Sequence, residues 1–136
     1  MLSAELIALS KYRLERAQEA LRTAKRNFEA QDYASANNRA YYCIFYAMRA
    51  TLALTGEDFK KHSAVISRFS ELYLKTRRLP PEFSKTITTA SLIRNRSDYE
   101  DFYVCSIEDT EHLIAASEQM LTVIAEFLQV QYADGE

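Results

Sequence analysis

The sequence has no tryptophan and only two glycines, two prolines and two cysteines among its 136 residues. Gly56 and Gly135 stand far apart, so the chain lacks the glycine-rich loop that cradles phosphates, and no nucleotide cofactor is expected. Cys43 and Cys105 have neither metal-ligand spacing nor the density of a disulfide-stapled domain, and two unpaired thiols are expected. His62 and His112 stand apart and the acidic residues form no ligand constellation, so no metal site is expected either. Charge of one sign is also lacking: 17 Lys and Arg against 19 Asp and Glu give a formal charge of -2. Whole-chain charge therefore does not favour tight nonspecific binding to nucleic acid. No run approaches the roughly twenty apolar residues of a membrane-spanning helix. The opening MLSAELIALSKYRLERAQEA mixes charges among its apolar residues and has no signal-peptide core. Cytoplasmic residence without membrane association is the expectation.

What the chain does have is bulk. Hydrophobic residues make up 48%, with nine Tyr and seven Phe, enough for one domain to bury its own core. Scarce Gly and Pro, with apolar residues at helical spacing, predict an all-α fold, an antiparallel up-and-down bundle of about five helices. The domain is placed at residues 3–130, with 131–136 as a flexible tail.

The first helix is expected over about 3–29, with Leu6, Leu9, Arg13, Ala17, Ala20, Leu21, Ala24 and Phe28 on its inner face. Asp32 is placed to cap a second helix over about 33–54, and Gly56 to stop it. Ala36, Ala40, Tyr41, Ile44, Phe45, Met48, Thr51 and Leu52 form its apolar face. Tyr42 and Tyr46 make a second, partly polar stripe, read as packing or an oligomer surface rather than a ligand contact. A third helix over about 61–76 ends before Pro80 and Pro81, and Pro81 is a candidate first residue of the fourth. Phe83, Ile87, Ala90 and Ile93 carry that fourth helix toward Arg94 and Arg96. Ser106 is a candidate cap for the last helix, whose face holds Leu113, Ala116, Met120, Ile124 and Phe127.

Three stretches together resemble the HEPN superfamily of small helical bundles: RAYYCIFYAMRATL (39–52), KKHSAVISRF (60–69) and LIRNRSDYEDF (92–102). The resemblance is to the small bacterial and archaeal proteins often encoded beside nucleotidyltransferases. It implies a homodimer and, in active members, metal-independent RNA cleavage by an arginine and a histidine of a late helix at a shared dimer cleft. Arg94 matches that arginine, while Tyr99 stands where the histidine would be at the shortest spacing. Asp101 occupies the position at which a related toxin branch carries a tyrosine modified by its partner.

A tyrosine titrating near pH 10 is a poor substitute for a group that exchanges protons near neutrality. The missing acid–base residue favours an ionic, hydrogen-bonded surface over catalysis at the end of the fourth helix. Arg94, Arg96, Asp98, Asp101 and His62 remain candidates to contact phosphate, RNA or a partner, with Asp98 or Asp101 placed to pair with Arg96. His62, near the start of the third helix, is read as a partly buried structural residue unless it meets Arg94 in space. Three functions stay open. In order they are a dimeric binding or regulatory protein partnering a nucleotidyltransferase in a toxin–antitoxin-like system, an RNA endonuclease using Arg94, Arg96 and Tyr99, and a helical scaffold without nucleic acid. Tyr42, Tyr46 and the Arg94 end are the candidate dimer surface.

Overall fold

In the computed structural model, which describes residues 2–135, the helical periodicities become α1 (Ala4–Glu29), α2 (Tyr33–Ala53), α3 (His62–Phe69), α4 (Phe83–Tyr99) and α5 (Ile107–Gly135). A π-helical segment, Ser70–Leu74, continues α3. No strand occurs among the described residues. The bundle is organised around α2, which packs against all four other helices.

Small residues let α1 and α2 approach. Ala17, Ala20 and Ala24 of α1 and Ala36, Ala40 and Ala47 of α2 are all buried, and the two helices form the most extensive helix pair of the fold. The starts of α1 and α2 are fixed by side-chain oxygens that satisfy an orphan backbone donor: Ser3 accepts from Leu6 N at 3.1 Å and Asp32 from Ser35 N at 3.2 Å. Ser106 caps α5 in the same way, accepting from Asp109 N at 3.2 Å. The α1–α2 turn closes with Asp32 N on Asn27 O and Gln31 N on Phe28 O, the paired bonds of a left-handed helix stop. Gln31 occupies the left-handed position at φ 63°, where glycine is the usual occupant.

The inner face of α1 differs from its expected start. Ile7 and Ser10 are buried, Leu6 is partly covered and Leu9 is 38% exposed, because the buried stripe runs Ile7, Ser10, Leu14, Ala17 and Leu21. A polar residue inside the stripe hid this register. Ser10 Oγ donates to Ala50 O at 2.7 Å and lies 2.6 Å from the Tyr132 hydroxyl, so its burial is satisfied.

Two further segments depart from the expected pattern. The third helix widens into the π segment, with Lys75 N bonding Ser70 O at 2.8 Å, and the extra residue turns both Tyr73 and Leu74 inward. Residues 131–135, expected as a flexible tail, extend α5 and bring Tyr132 into the core; Glu136 lies outside the described residues. α4 starts at Phe83, two residues beyond Pro81, with the prolines in the preceding turn. α5 is long and apolar enough, by length and composition, to cross a membrane. In this fold its Leu113, Met120, Ile124 and Leu128 fill the core against α2, with the buried Ser117 Oγ reaching Ala40 O at 3.2 Å.

Candidate functional site

The middle of α2, the first turn of α3 and the last turns of α4 converge on one cluster of tyrosines, arginines and a histidine. Arg94 is its centre. Its guanidinium carbon lies 5.3 Å from the Tyr41 ring, 5.5 Å from Tyr42 and 5.3 Å from Tyr99. Arginine over an aromatic face contributes about 0.5–2 kcal/mol, and three faces hold this one in place.

The nitrogens of Arg94 are held unequally, and buried Nε meets its neighbour as an ion pair without hydrogen-bond geometry. Nε lies 3.0 Å from Asp98 Oδ2, one turn along the same helix. Nη2 donates to the Tyr42 hydroxyl at 3.2 Å and to the Tyr99 hydroxyl at 3.3 Å, and Nη1 to Asn95 Oδ1 at 3.3 Å. Those three acceptors are neutral and distant. Phosphate oxygens form shorter, charge-assisted bonds with guanidinium and can displace them. Tyr99, at the end of α4 and 71% exposed, is the partner freest to swing away.

Asp98 joins the arginine to α2. Its Oδ2 also accepts from Asn38 Nδ2 at 2.9 Å, and Asn38 Oδ1 accepts from Arg39 Nε and Nη2 at 3.0 and 2.8 Å. Arg39 in turn lies 5.0 Å from the Tyr42 ring, which thus has guanidinium groups from two helices beside it. A groove of about 370 Å3, lined by Asn27, Ala34, Ser35, Asn38, Arg39 and Asp98, opens at this edge. Deeper in, Asn37 Nδ2 donates to Ser97 Oγ at 3.0 Å and ties α4 to α2.

His62 reaches the same cluster from the other side. Its ring is 4.1 Å from Phe45, 5.7 Å from Tyr41 and 5.8 Å from Tyr42, and its Nδ1 lies 2.9 Å from the Tyr41 hydroxyl. Partial burial, reinforced by the charges of Arg94 and Arg49, lowers its pKa from the ordinary 6.5, which favours the neutral imidazole. Burial pushes the Tyr41 hydroxyl up, with Arg94 opposing the shift. The loop before His62 is anchored at Asp58, which takes Arg13 at 3.1 Å and Arg49 at 3.0 Å, and at Glu57, which takes Arg68 through two bonds of 2.7 and 2.8 Å.

Arg94, Asp98, Tyr99, Tyr42 and His62 are therefore brought together, whereas Arg96 and Asp101 are not part of the cluster. Arg96 pairs with Glu100 at 3.1 Å and lies 4.9 Å from the Tyr103 ring. The expected pairing of Arg96 with Asp98 or Asp101 is replaced by two parallel pairs, Arg94 with Asp98 and Arg96 with Glu100, because residues four apart share a helix face. Asp101 lies in the turn beyond α4. Tyr46 sits 5.7 Å from Tyr42 and accepts from Arg16 Nη2 at 3.1 Å, extending the aromatic stripe toward α1. Tyr41, Asn38 and Arg39 were not singled out as site residues; Asn38 precedes Tyr42 by one helical turn, the spacing that could have flagged it. Among the described residues no three His, Cys, Asp or Glu side chains gather to hold a metal ion, and both cysteines are unpaired.

The HEPN domain family model matches residues 10–128, a span that holds the whole cluster. The chain belongs to the HEPN domain family. This HEPN domain is 31% identical over 116 residues to a UPF0332 protein of Gloeobacter violaceus, an alignment covering 85% of this chain and 92% of the relative. Two Methanocaldococcus jannaschii proteins, each named "Putative toxin", are similar as well. One is 30% identical over 74% of this chain and 69% of its own length, and the other 34% identical over 63% and 64%.

Proposed function

We infer that this HEPN domain works in the cytoplasm as a homodimeric component of a toxin–antitoxin-like pair. In this reading a nucleotidyltransferase-family protein engages it, and the Arg94 cleft binds RNA phosphate. The observation that carries the reading is the guanidinium of Arg94, held among three tyrosine rings with long neutral contacts on Nη1 and Nη2. A phosphate gains charge-assisted bonds there, and the half-buried Tyr42 and exposed Tyr99 offer faces on which bases stack. The toxin names of two relatives support the two-component setting.

Homodimerisation is supported by unsatisfied apolar surface near the same end of α4. Leu92, Tyr99, Phe102, Val104 and Ile107 are all more than half exposed, and Tyr42 and Tyr46 flank the cluster half-buried. Burying such residues across a twofold axis would bring two Arg94 clefts together. Tyr99 stands where active members carry the histidine, so binding is favoured over cleavage by the arginine and tyrosine alone.

Light scattering coupled to size-exclusion chromatography tests the assembly, alone and with the nucleotidyltransferase encoded nearest to it. A dimer mass and a stable mixed complex are expected. Anisotropy with labelled RNA tests the cleft, with binding lost in Arg94→Ala. A monomer at all concentrations that binds neither RNA nor that protein would leave the scaffold reading standing.

A further inference from the structure

The groove at the edge of the cluster has walls that a phosphate does not explain. Asn27 near the end of α1, Ala34, Ser35, Asn38 and Arg39 of α2 and Asp98 of α4 enclose about 370 Å3. A carboxylate and a guanidinium thus stand on one small surface. Asp98 Oδ2 is occupied, meeting Arg94 Nε at 3.0 Å and accepting from Asn38 Nδ2 at 2.9 Å. Oδ1 takes no hydrogen bond or ion pair among the described residues, and a carboxylate oxygen has lone pairs for two donors. Arg39 spends Nε and Nη2 on Asn38 Oδ1, which leaves Nη1 to donate elsewhere.

We propose that this groove is a base-reading subsite that selects guanine in the nucleotide next to the phosphate held by Arg94. The proposal rests on the reading of the Arg94 cleft as an RNA-phosphate site. Asp98 joins the two places, since it lines the groove and pairs with the arginine.

The charges on the walls narrow the ligand. Asp98 repels a second phosphate and Arg39 repels a cation, so the groove suits a neutral group with donors and an acceptor side by side. Among the RNA bases only guanine has two adjacent N–H donors, at N1 and the N2 amino group, with the O6 acceptor beside them. The donors match Asp98 Oδ1, and O6 matches Arg39 Nη1. Uracil sets its one N–H between two carbonyl oxygens. Adenine and cytosine set an acceptor nitrogen beside their amino group, so each of the three turns a lone pair toward the carboxylate. Asn38, bonded to Asp98 and Arg39 at once, fixes the spacing of the two reading groups before a base arrives.

The test is fluorescence anisotropy of the purified full chain with short labelled single-stranded RNAs: oligoadenylate, and the same strand with one central guanine, inosine, cytosine or uracil. The guanine strand should bind about tenfold or more tighter than the others. Inosine lacks the N2 amino group and should lose most of that preference. Ala34→Leu fills the groove while keeping Asp98 and Arg94, and should bind the guanine strand no better than oligoadenylate, with wild-type affinity for the latter. Circular dichroism shows whether the variant folds, and if it does not, the inosine strand decides. Equal wild-type affinity for all strands, a preference for another base, or a guanine preference that inosine or folded Ala34→Leu retains would overturn the guanine subsite and leave the phosphate reading standing. Wild type that binds none of the strands would overturn both.

Discussion

Arg94 and Asp98 form an ion pair within one helical turn, Nε to Oδ2 at 3.0 Å, and the same carboxylate oxygen is tied to Asn38 on the neighbouring helix. The arginine is thus oriented from α2 as well as from its own helix. Its planar fork and its stacking on Tyr41, Tyr42 and Tyr99 both depend on guanidinium geometry. Arg94→Lys keeps the charge and loses both, so affinity for RNA should fall about tenfold or more. Fluorescence anisotropy over a series of salt concentrations measures this, and equal affinity for the lysine variant would remove the fork from the account.

Acid should weaken the fold in part through His62. Its burial, with Arg94 and Arg49 nearby, holds the folded-state pKa below 6.5, so the unfolded chain binds the proton more readily. The contribution is complete above about pH 6.5 and is lost as pH falls from there through the lower folded-state value. Urea midpoints for wild type should drop between about pH 7.5 and pH 5.5 by more than those of His62→Asn. Parallel curves for the two proteins would contradict the assignment.

The end of α5 is predicted to be structural. Tyr132 is 2% exposed and its hydroxyl meets Ser10, which also holds Ala50 O. Ser10→Ala leaves the tyrosine hydroxyl buried without its partner and should cost about 1–3 kcal/mol. Tyr132→Ala should cost about 3–5 kcal/mol through the cavity it leaves. Chemical denaturation reads both values, and a neutral Tyr132→Ala would return residues 131–135 to the status of a loose tail.

Gln31 is a site for stabilisation. Its φ of 63° is strained for any residue with a Cβ, and no side-chain contact compensates for the strain among the bonds that close this turn. Gln31→Gly should raise stability by about 0.5–1 kcal/mol, the relief of strain exceeding the entropy that glycine adds to the unfolded chain. A lowered thermal midpoint would show that the turn is held by something other than backbone geometry.

Thiol reactivity should separate the two cysteines. Burial in α2 pushes the Cys43 thiol up to about 12, whereas Cys105 is partly exposed near the start of α5. A thiol reagent added to the native protein should modify one site per chain, identified by peptide mapping as Cys105. Labelling of Cys43 at a comparable rate would mean that α2 opens readily.

The sequence by itself determined the helices. Their apolar residues recur within a few positions of one another, and caps such as Asp32 and Ser106 act on backbone donors three residues away, so the information is local. The position of Arg94 at the end of a helix was legible for the same reason. Tertiary structure alone decided three things: that Ser10 is inside, that Tyr132 closes the core, and that His62 stands with Arg94 around Tyr41 and Tyr42. Each depends on contacts between elements distant in sequence. Periodicity says which face of a helix is buried, but the angle and register at which α3 and α4 cross α2 decide which polar groups at the edges of those faces meet.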